Sequence, residues 1–278
     1  MAVADARPAV AAPDTAASGL LIVNADDWGR DLRTTQMMHD CVRRGSVSSV
    51  SAMLFMEDSE RAAEVARKEG IDAGLHLNFT TPFSGHPGSM LVMHQEKLTR
   101  YLRRHRLSQV LYNPGLKDSF AYVAAAQIDE YRRLYGADPH TVDGHHHMHL
   151  CENVLAQRLI PAGTLVRRNF SFQPGEKGRV NRAYRTFVDR RLERRHNTVD
   201  YLFNLNPLEP TRLRRIFDLA REFVVELETH PVDAAEYRFL TEGELFRQAA
   251  DVRIAPRAAV AGYRQSGKRL LGRAGLRT

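Results

Sequence analysis

The chain has 278 residues, 43% hydrophobic and 26% charged, with 18 Gly and 12 Pro, proportions that exclude collagen, a coiled-coil rod and a wholly disordered chain. Its apolar runs, such as residues 19–23, fall far short of the ~20 residues a membrane span needs. The net charge of +7 is uneven: residues 167–195 hold ten basic and three acidic residues, residues 253–278 seven basic and none acidic, and the rest is acidic in balance. That excludes a uniformly basic nucleic-acid coat and leaves room for a local anionic partner. Two cysteines, Cys41 and Cys151, are too few for a disulfide framework or a Cys-rich zinc module and suit a reducing compartment.

The first 19 residues carry eight Ala and two Pro, without the basic start and unbroken apolar stretch of a secretory signal, so they are expected to be a disordered leader. A cytoplasmic location follows as the expectation. Short β-branched runs predict strands at 20–23, 47–52, 73–77, 141–143, 201–205 and 223–227, with 164–166 weaker. Between them, helical spacing marks 34–44, 59–68, 120–135, 152–160 and 211–221, with Asp58 or Ser59 as a cap and Gly70 as a stop for the second. Residues 79–109 read as a long polar loop with one helix, and 169–197 as an Arg-rich surface helix. Strand and helix alternate, which favours parallel βα units. About seven units fit a distorted or incomplete (β/α) barrel in a single domain, 20–252, followed by a basic tail, 253–278.

Four polar clusters sit at or just beyond predicted strand ends: NADDWG (24–29), GLHLN (74–78), DGHHHMH (143–149) and ELETHP (226–231). Side chains at strand C-terminal ends of a parallel α/β protein converge on one rim, where sites are built. Neighbouring carboxylates such as Asp26 and Asp27 do not both stay ionised in a dry cleft without a cation or a raised pKa, so one is expected to bind metal and the other to handle protons. Five of the twelve histidines lie between His140 and His149. If extended, His145, His147 and His149 would share a face opposite His146, and one or two could reach a metal. One oxygen ligand with two imidazoles suits zinc and similar divalent ions. On the last strand, Glu226 or Glu228 could orient His230 and favour its protonated form.

In this order, NADDWG, GLHLNFT, DGHHHMH and ETHPV resemble the YdjC-like carbohydrate deacetylase family over residues 20–245. The resemblance implies a distorted barrel that removes N-acetyl groups from amino sugars with one divalent metal, Mg or Zn, with Co and Ni also chemically suited. It implies Asp27, His76 and His145 as metal ligands, Asp26 as general base and His230 as general acid. Asp143, Glu226, Trp28, Arg30 and His147 are expected around them or against substrate. Trp28 stands where the family usually has Phe, Arg30 replaces a small or apolar residue, and the Arg-rich 169–197 and basic end depart from the pattern. The changes at 28 and 30 leave the chemistry intact; the Arg-rich segment and the basic end turn the expected substrate from a free chitobiose-like sugar toward a lipid-linked or phosphorylated one, with peripheral membrane contact by residues 258–276 helped by residues 167–195; a homodimer is admitted. A metal-dependent phosphoesterase, its arginines clamping phosphate, is the enzyme alternative. A nucleic-acid-binding module lacks aromatic interleaving, and no nucleic-acid partner is expected.

Overall fold

The computed structural model describes residues 19–172 and 176–260. Seven strands, β1 (Leu20–Trp28), β2 (Ser49–Ala52), β3 (Ala73–Leu77), β4 (Thr141–Gly144), β5 (Leu165–Val166), β6 (Tyr201–Asn204) and β7 (Val224–Thr229), form one sheet in the order β5-β4-β3-β2-β1-β7-β6. Every pairing is parallel. The helices are α1 (Leu32–Arg43), α2 (Ser59–Glu69), α3 (Ser89–Arg104), α4 (Lys117–Tyr135), α5 (Glu152–Gln157), α6 (Arg179–Glu193), α7 (Pro210–Ala220), α8 (Ala234–Thr241) and α9 (Glu244–Gln248). The sheet curls until its flanks meet. Val166 N–H donates to Asn197 O at 2.8 Å, and Ser171 N–H to Leu202 O at 2.8 Å. The result is an incomplete (β/α) barrel, as the alternation of strand and helix predicts.

Strand alternation sorts the side chains. Leu21, Val23 and Ala25 of β1, with Val225 and Leu227 of β7, point outward and join Met38, Cys41, Ile216 and Phe217 of the helical layer in one core. A second core under α3, α4 and α5 gathers Leu75, Leu98, Phe120, Val123 and Val154. The opposite faces of β1 and β7 line the barrel interior, where Leu20, Ile22 and Val224 make an apolar floor with Val199, Ala255 and Val260. Above that floor the same faces turn polar, at Asn24, Asp26, Glu226 and Glu228. The registers Ile22↔Glu226 and Asn24↔Glu228 put these groups level with one another. Packing is tight: at Gly74 an added Cβ would lie 2.0 Å from Thr141 Oγ1, so glycine is what lets β3 and β4 close.

Three expectations change here. β1 runs five residues beyond the expected 20–23 because parallel partners on both sides continue its ladder, so Asp26 and Asp27 lie within the strand end itself. Most of the expected 79–109 loop is the sixteen-residue helix α3, whose buried Leu91, Gln95, Leu98 and Leu102 supply the spacing a polar average hides. The body also extends past the expected boundary at 252. Leu21 N–H donates to Arg253 O, Ala255 N–H donates to Leu21 O, and Arg257 is buried. The remainder of the expected tail, 261–278, and the leader through 18 lie outside the described residues.

Candidate metal centre

The upper barrel holds five buried carboxylates, Asp26, Asp27, Asp143, Glu226 and Glu228, against two buried guanidinium groups, Arg167 and Arg257. Buried charge is costly unless compensated. The excess of acid therefore calls for protons or a cation.

Asp27 Oδ1 lies 2.9 Å from His145 Nδ1 and 3.4 Å from His76 Nε2. These three ligand atoms converge within 4.8 Å of one another. Asp27 Oδ1 is buried and has no hydrogen-bond partner of good geometry. An orphaned carboxylate oxygen facing two imidazole nitrogens is a donor set that fits a divalent ion. Asp27 adopts φ 74°, which turns its carboxylate out of the ladder and toward both rings. Its other oxygen accepts from Arg30 at 3.1 Å. Burial alone would raise the Asp27 carboxyl, but the His145 and His76 imidazoles beside it outweigh burial and hold the group far below the carboxylate range.

A second tier orients the first. His76 Nδ1 lies 2.7 Å from Asp143 Oδ1, which leaves Nε2 to face Asp27. Asp143 Oδ2 in turn accepts from Ser51 Oγ at 2.6 Å, Arg257 at 2.6 Å and Arg167 at 2.9 Å. Without an ion, His76 is pushed up to about 10: burial opposes the charge, but Asp26 and Asp143 outweigh it.

Asp26 belongs to a different set. Arg167 grips both its oxygens, at 2.6 and 2.7 Å, and Asn24 Nδ2 donates at 2.7 Å. Burial would raise this carboxyl, yet the Arg167 charge lowers it below the ordinary range. Arg167 also reaches Glu226 at 2.8 Å and Glu228 at 3.0 Å. Burial, with Asp26 alongside, pushes Glu228 well up, so it takes the proton of this crowded group. The His230 ring is half-buried, its ligand nitrogen within 4.8 Å of the ligand oxygens of Asp26 and Glu228. Its backbone N–H is pinned to Glu236 at 2.6 Å.

Several expected positions move. Trp28 is not at the site: its indole is wholly buried in the helical layer and its N–H donates to Ala62 O at 3.1 Å. The cause is the register shift between Ala25 and Trp28, with Asp27 at φ 74°, which puts Trp28 on the outward face with Ala25 where unbroken alternation would oppose them. The histidine run is not extended. It is a short 3-10 turn with His146 and His147 at φ 54° and 57°, which sends each ring its own way. His145 goes to Asp27, His146 to Thr80 Oγ1 at 2.9 Å, His147 to within 3.5 Å of Glu228, and His149 to Arg167 O at 2.9 Å. Burial and the Arg167 charge keep His147 well below its usual range. Glu226 lies a level below His230 and serves the two arginines, leaving Glu228 as the neighbouring carboxylate.

Asn24, Ser51, Arg167 and Arg257 went unrecognised in the sequence. In sequence Arg167 and Arg257 belong to the two basic segments, yet neither faces solvent. The signal for Arg167 was its place one residue past β5, the strand-end position shared by the four clusters.

Fold and site together define an incomplete (β/α) barrel with a carboxylate–imidazole cluster on its C-terminal rim that fits a divalent ion. Residues 20–257 match the YdjC-like protein family, and the chain belongs to it. It is 28% identical over 222 residues to a chitooligosaccharide deacetylase of Enterobacter sp. (strain 638), covering 76% of this chain and 81% of that protein. It is 30% identical over 138 residues to a carbohydrate deacetylase of Danio rerio, covering 48% of this chain and 43% of that protein. The match thus spans less than half the length of the zebrafish relative. In three dimensions the fold is similar to a crystal structure from Enterococcus faecalis V583 named for cellobiose-phosphate cleavage, with TM-score 0.62, 17% identity, and 87% and 98% of the two chains covered.

Proposed function

We propose that this protein is a metal-dependent N-deacetylase of an acetamido sugar. The observation that carries the reading is the convergence of the orphaned Asp27 Oδ1 with His76 and His145 beside an ionised Asp26. The deacetylase names of the relatives from Enterobacter and zebrafish supply the reaction class. Asp27, His76 and His145 would hold the ion. One carboxylate and two imidazoles suit zinc, cobalt or nickel better than magnesium, which favours an all-oxygen shell.

Bound there, a divalent ion supplies Lewis-acid polarisation of the acetyl oxygen and acidifies a water. The protein residues handle the protons. Arg167 keeps Asp26 in the ionised form from which a base starts, and Asp26 takes the proton of the attacking water. His230 gives a proton to the amine as the C–N bond breaks, because a nitrogen anion is too poor a leaving group. Acetate and a free amino sugar result. The phosphoesterase alternative loses its argument, since Arg167 and Arg257 are committed to carboxylates and do not face a substrate.

For the substrate we favour a sugar that is lipid-linked or phosphorylated, met from the cytoplasm at a membrane surface. No helix of the described residues is long and apolar enough to cross a membrane. The basic stretch 261–278 lies outside the described residues and carries none of this argument.

The test is direct. Purified protein reloaded with zinc and given N,N′-diacetylchitobiose and an acetamido-sugar lipid should release acetate from at least one. Release of phosphate from a sugar phosphate, with no acetate from either compound, would overturn the reading.

A further inference from the structure

Helix α6 buries only Val188, Asp189 and Leu192, all in its last two turns. Along its first half, 179–187, every residue but Arg185 is exposed. On that half Val180 is 85% exposed, Tyr184 36% and Phe187 61%. Spacings of four and three put these side chains on one helix face. Isolated apolar residues at a surface are ordinary, but an aligned row on an otherwise unpacked helix end marks an interaction surface. The same half is basic. Arg179 and Arg182 are exposed there, as is Arg190 one turn further on, and among the described residues no carboxylate lies within ion-pair distance of these three. The acids of this helix are elsewhere engaged or few: Asp189 is buried against Arg168 and Asn169.

The position of this row is set by topology. In a parallel βα unit the helix starts at the strand's C-terminal end, so the first half of α6 rises from the rim that carries the metal centre. The intervening segment ties the two together. Asp189 accepts from Asn169 N–H at 3.0 Å, and the next residue, Phe170, packs edge-on to His147 with centroids 4.6 Å apart. Phe172 follows, with the Arg185 guanidinium 4.6 Å and the Lys177 ammonium 5.9 Å from its ring centre. Aromatic, aliphatic and cationic groups thus run from the mouth of the site along the helix.

An apolar row flanked by arginines on one short amphipathic segment is the composition of helices that lie in a membrane interface. We infer that the exposed face of α6 docks the rim of the barrel onto an anionic bilayer, with Val180, Tyr184 and Phe187 inserted and Arg179 and Arg190, which lie along one side of that row, at the headgroups. An acidic protein groove would satisfy the charges, but a convex, exposed helix face suits a flat, deformable surface. The inference deepens the deacetylase reading by giving the rim a lipid-borne substrate, yet vesicle binding is independent of chemistry.

The experiment uses the full-length chain, sedimented with phosphatidylcholine vesicles and with phosphatidylcholine–phosphatidylglycerol vesicles. The wild type should bind the anionic vesicles preferentially and be released by salt. Val180→Ser with Phe187→Ser should weaken that binding by about tenfold or more, and Arg179→Gln with Arg190→Gln should weaken it on anionic vesicles alone. Circular dichroism melts should match wild type, since these groups are exposed. A full-length variant with Arg264, Lys268, Arg269 and Arg273 changed to Gln separates the two basic regions, and it should retain binding that depends on Val180 and Phe187. Wild-type binding by the Val180/Phe187 variant would overturn the inference, as would equal affinity for both vesicle types. So would a change in sedimentation-velocity oligomeric state in that variant with no vesicle binding by either form, because the row would then serve a second copy. Acetate release from soluble N,N′-diacetylchitobiose should be unaffected in the Val180/Phe187 variant. Its absence in every form, with vesicle binding intact, would count against the deacetylase reading and not against the docking surface.

Discussion

Asp143 Oδ1 lies 2.7 Å from His76 Nδ1, and that contact determines which nitrogen of His76 faces Asp27. A carboxylate behind an imidazole ligand fixes the tautomer and strengthens the ligand. The arrangement reaches further, because the other Asp143 oxygen is held by Arg257 from the far end of the described chain. Ligand geometry is therefore tied to closure of the barrel floor.

Removal of one ligand should be visible as lost metal. His76→Ala should bind less than one ion per chain by atomic emission, lose acetate release, and keep its circular dichroism spectrum. Chelation of the wild type should abolish activity, and zinc should restore it. Full activity in chelator would end the metal-centre reading.

Asp26 and His230 should behave differently from the ligands. Asp26→Asn keeps the shape but removes the base, so turnover should fall on the order of 10²–10⁴-fold with metal stoichiometry unchanged. His230→Ala should do likewise. Wild-type turnover in either would show that the proton roles are misassigned.

Metal binding should be coupled to pH through His76. Its imidazole is raised to about 10 in the absence of metal, first against burial and then by Asp26 and Asp143, so an ion must displace a proton. Affinity measured by competition with a chromophoric chelator should therefore fall by about tenfold for each unit that pH drops. The metal-free fold follows the opposite sign. Because the folded value exceeds the unfolded one, protonated His76 contributes fully below about 6.5, and that contribution is lost as pH rises toward about 10. A denaturant midpoint series across that window checks it.

Arg257 should be a stability residue with a metal-affinity consequence. Arg257→Ala strands the buried Asp143 and Glu226 charges, and removing one partner of such a set commonly costs about 3–5 kcal/mol. Urea unfolding gives the loss. Metal affinity should fall with it, because Asp143 loses a donor that orients it toward His76.

Trp28 should be separable from all of this. Trp28→Phe removes a buried donor to Ala62 O and leaves a small void, at a cost of about 1–3 kcal/mol. Acetate release should be unchanged, since the indole sits among helices away from the metal centre.

The elements themselves were legible where hydrophobic pattern is local. Ala73–Leu77 appears within its expected bounds, and Gly70 ends α2 in the left-handed conformation that favours glycine. The four polar clusters gather at one rim because parallel strands must deliver their ends there, and strand order along the chain already implied it. Asp26, Asp27, His76, His145 and His230 could be named from that rule together with the family resemblance. Tertiary structure alone decided the rest. Arg167 meets Asp26 across 141 residues and Arg257 meets Asp143 across 114, distances at which no periodicity in the chain carries information. In sequence an arginine is charged and counts as surface; only closure of the barrel supplied the carboxylates that make its burial tolerable. The face of Trp28 likewise depended on the register shift at Asp27, and the direction of each ring in 145–149 on two left-handed residues inside the turn. Local propensity sets which segments become strands, whereas the pairing of buried charges is settled only when distant strands share one interior.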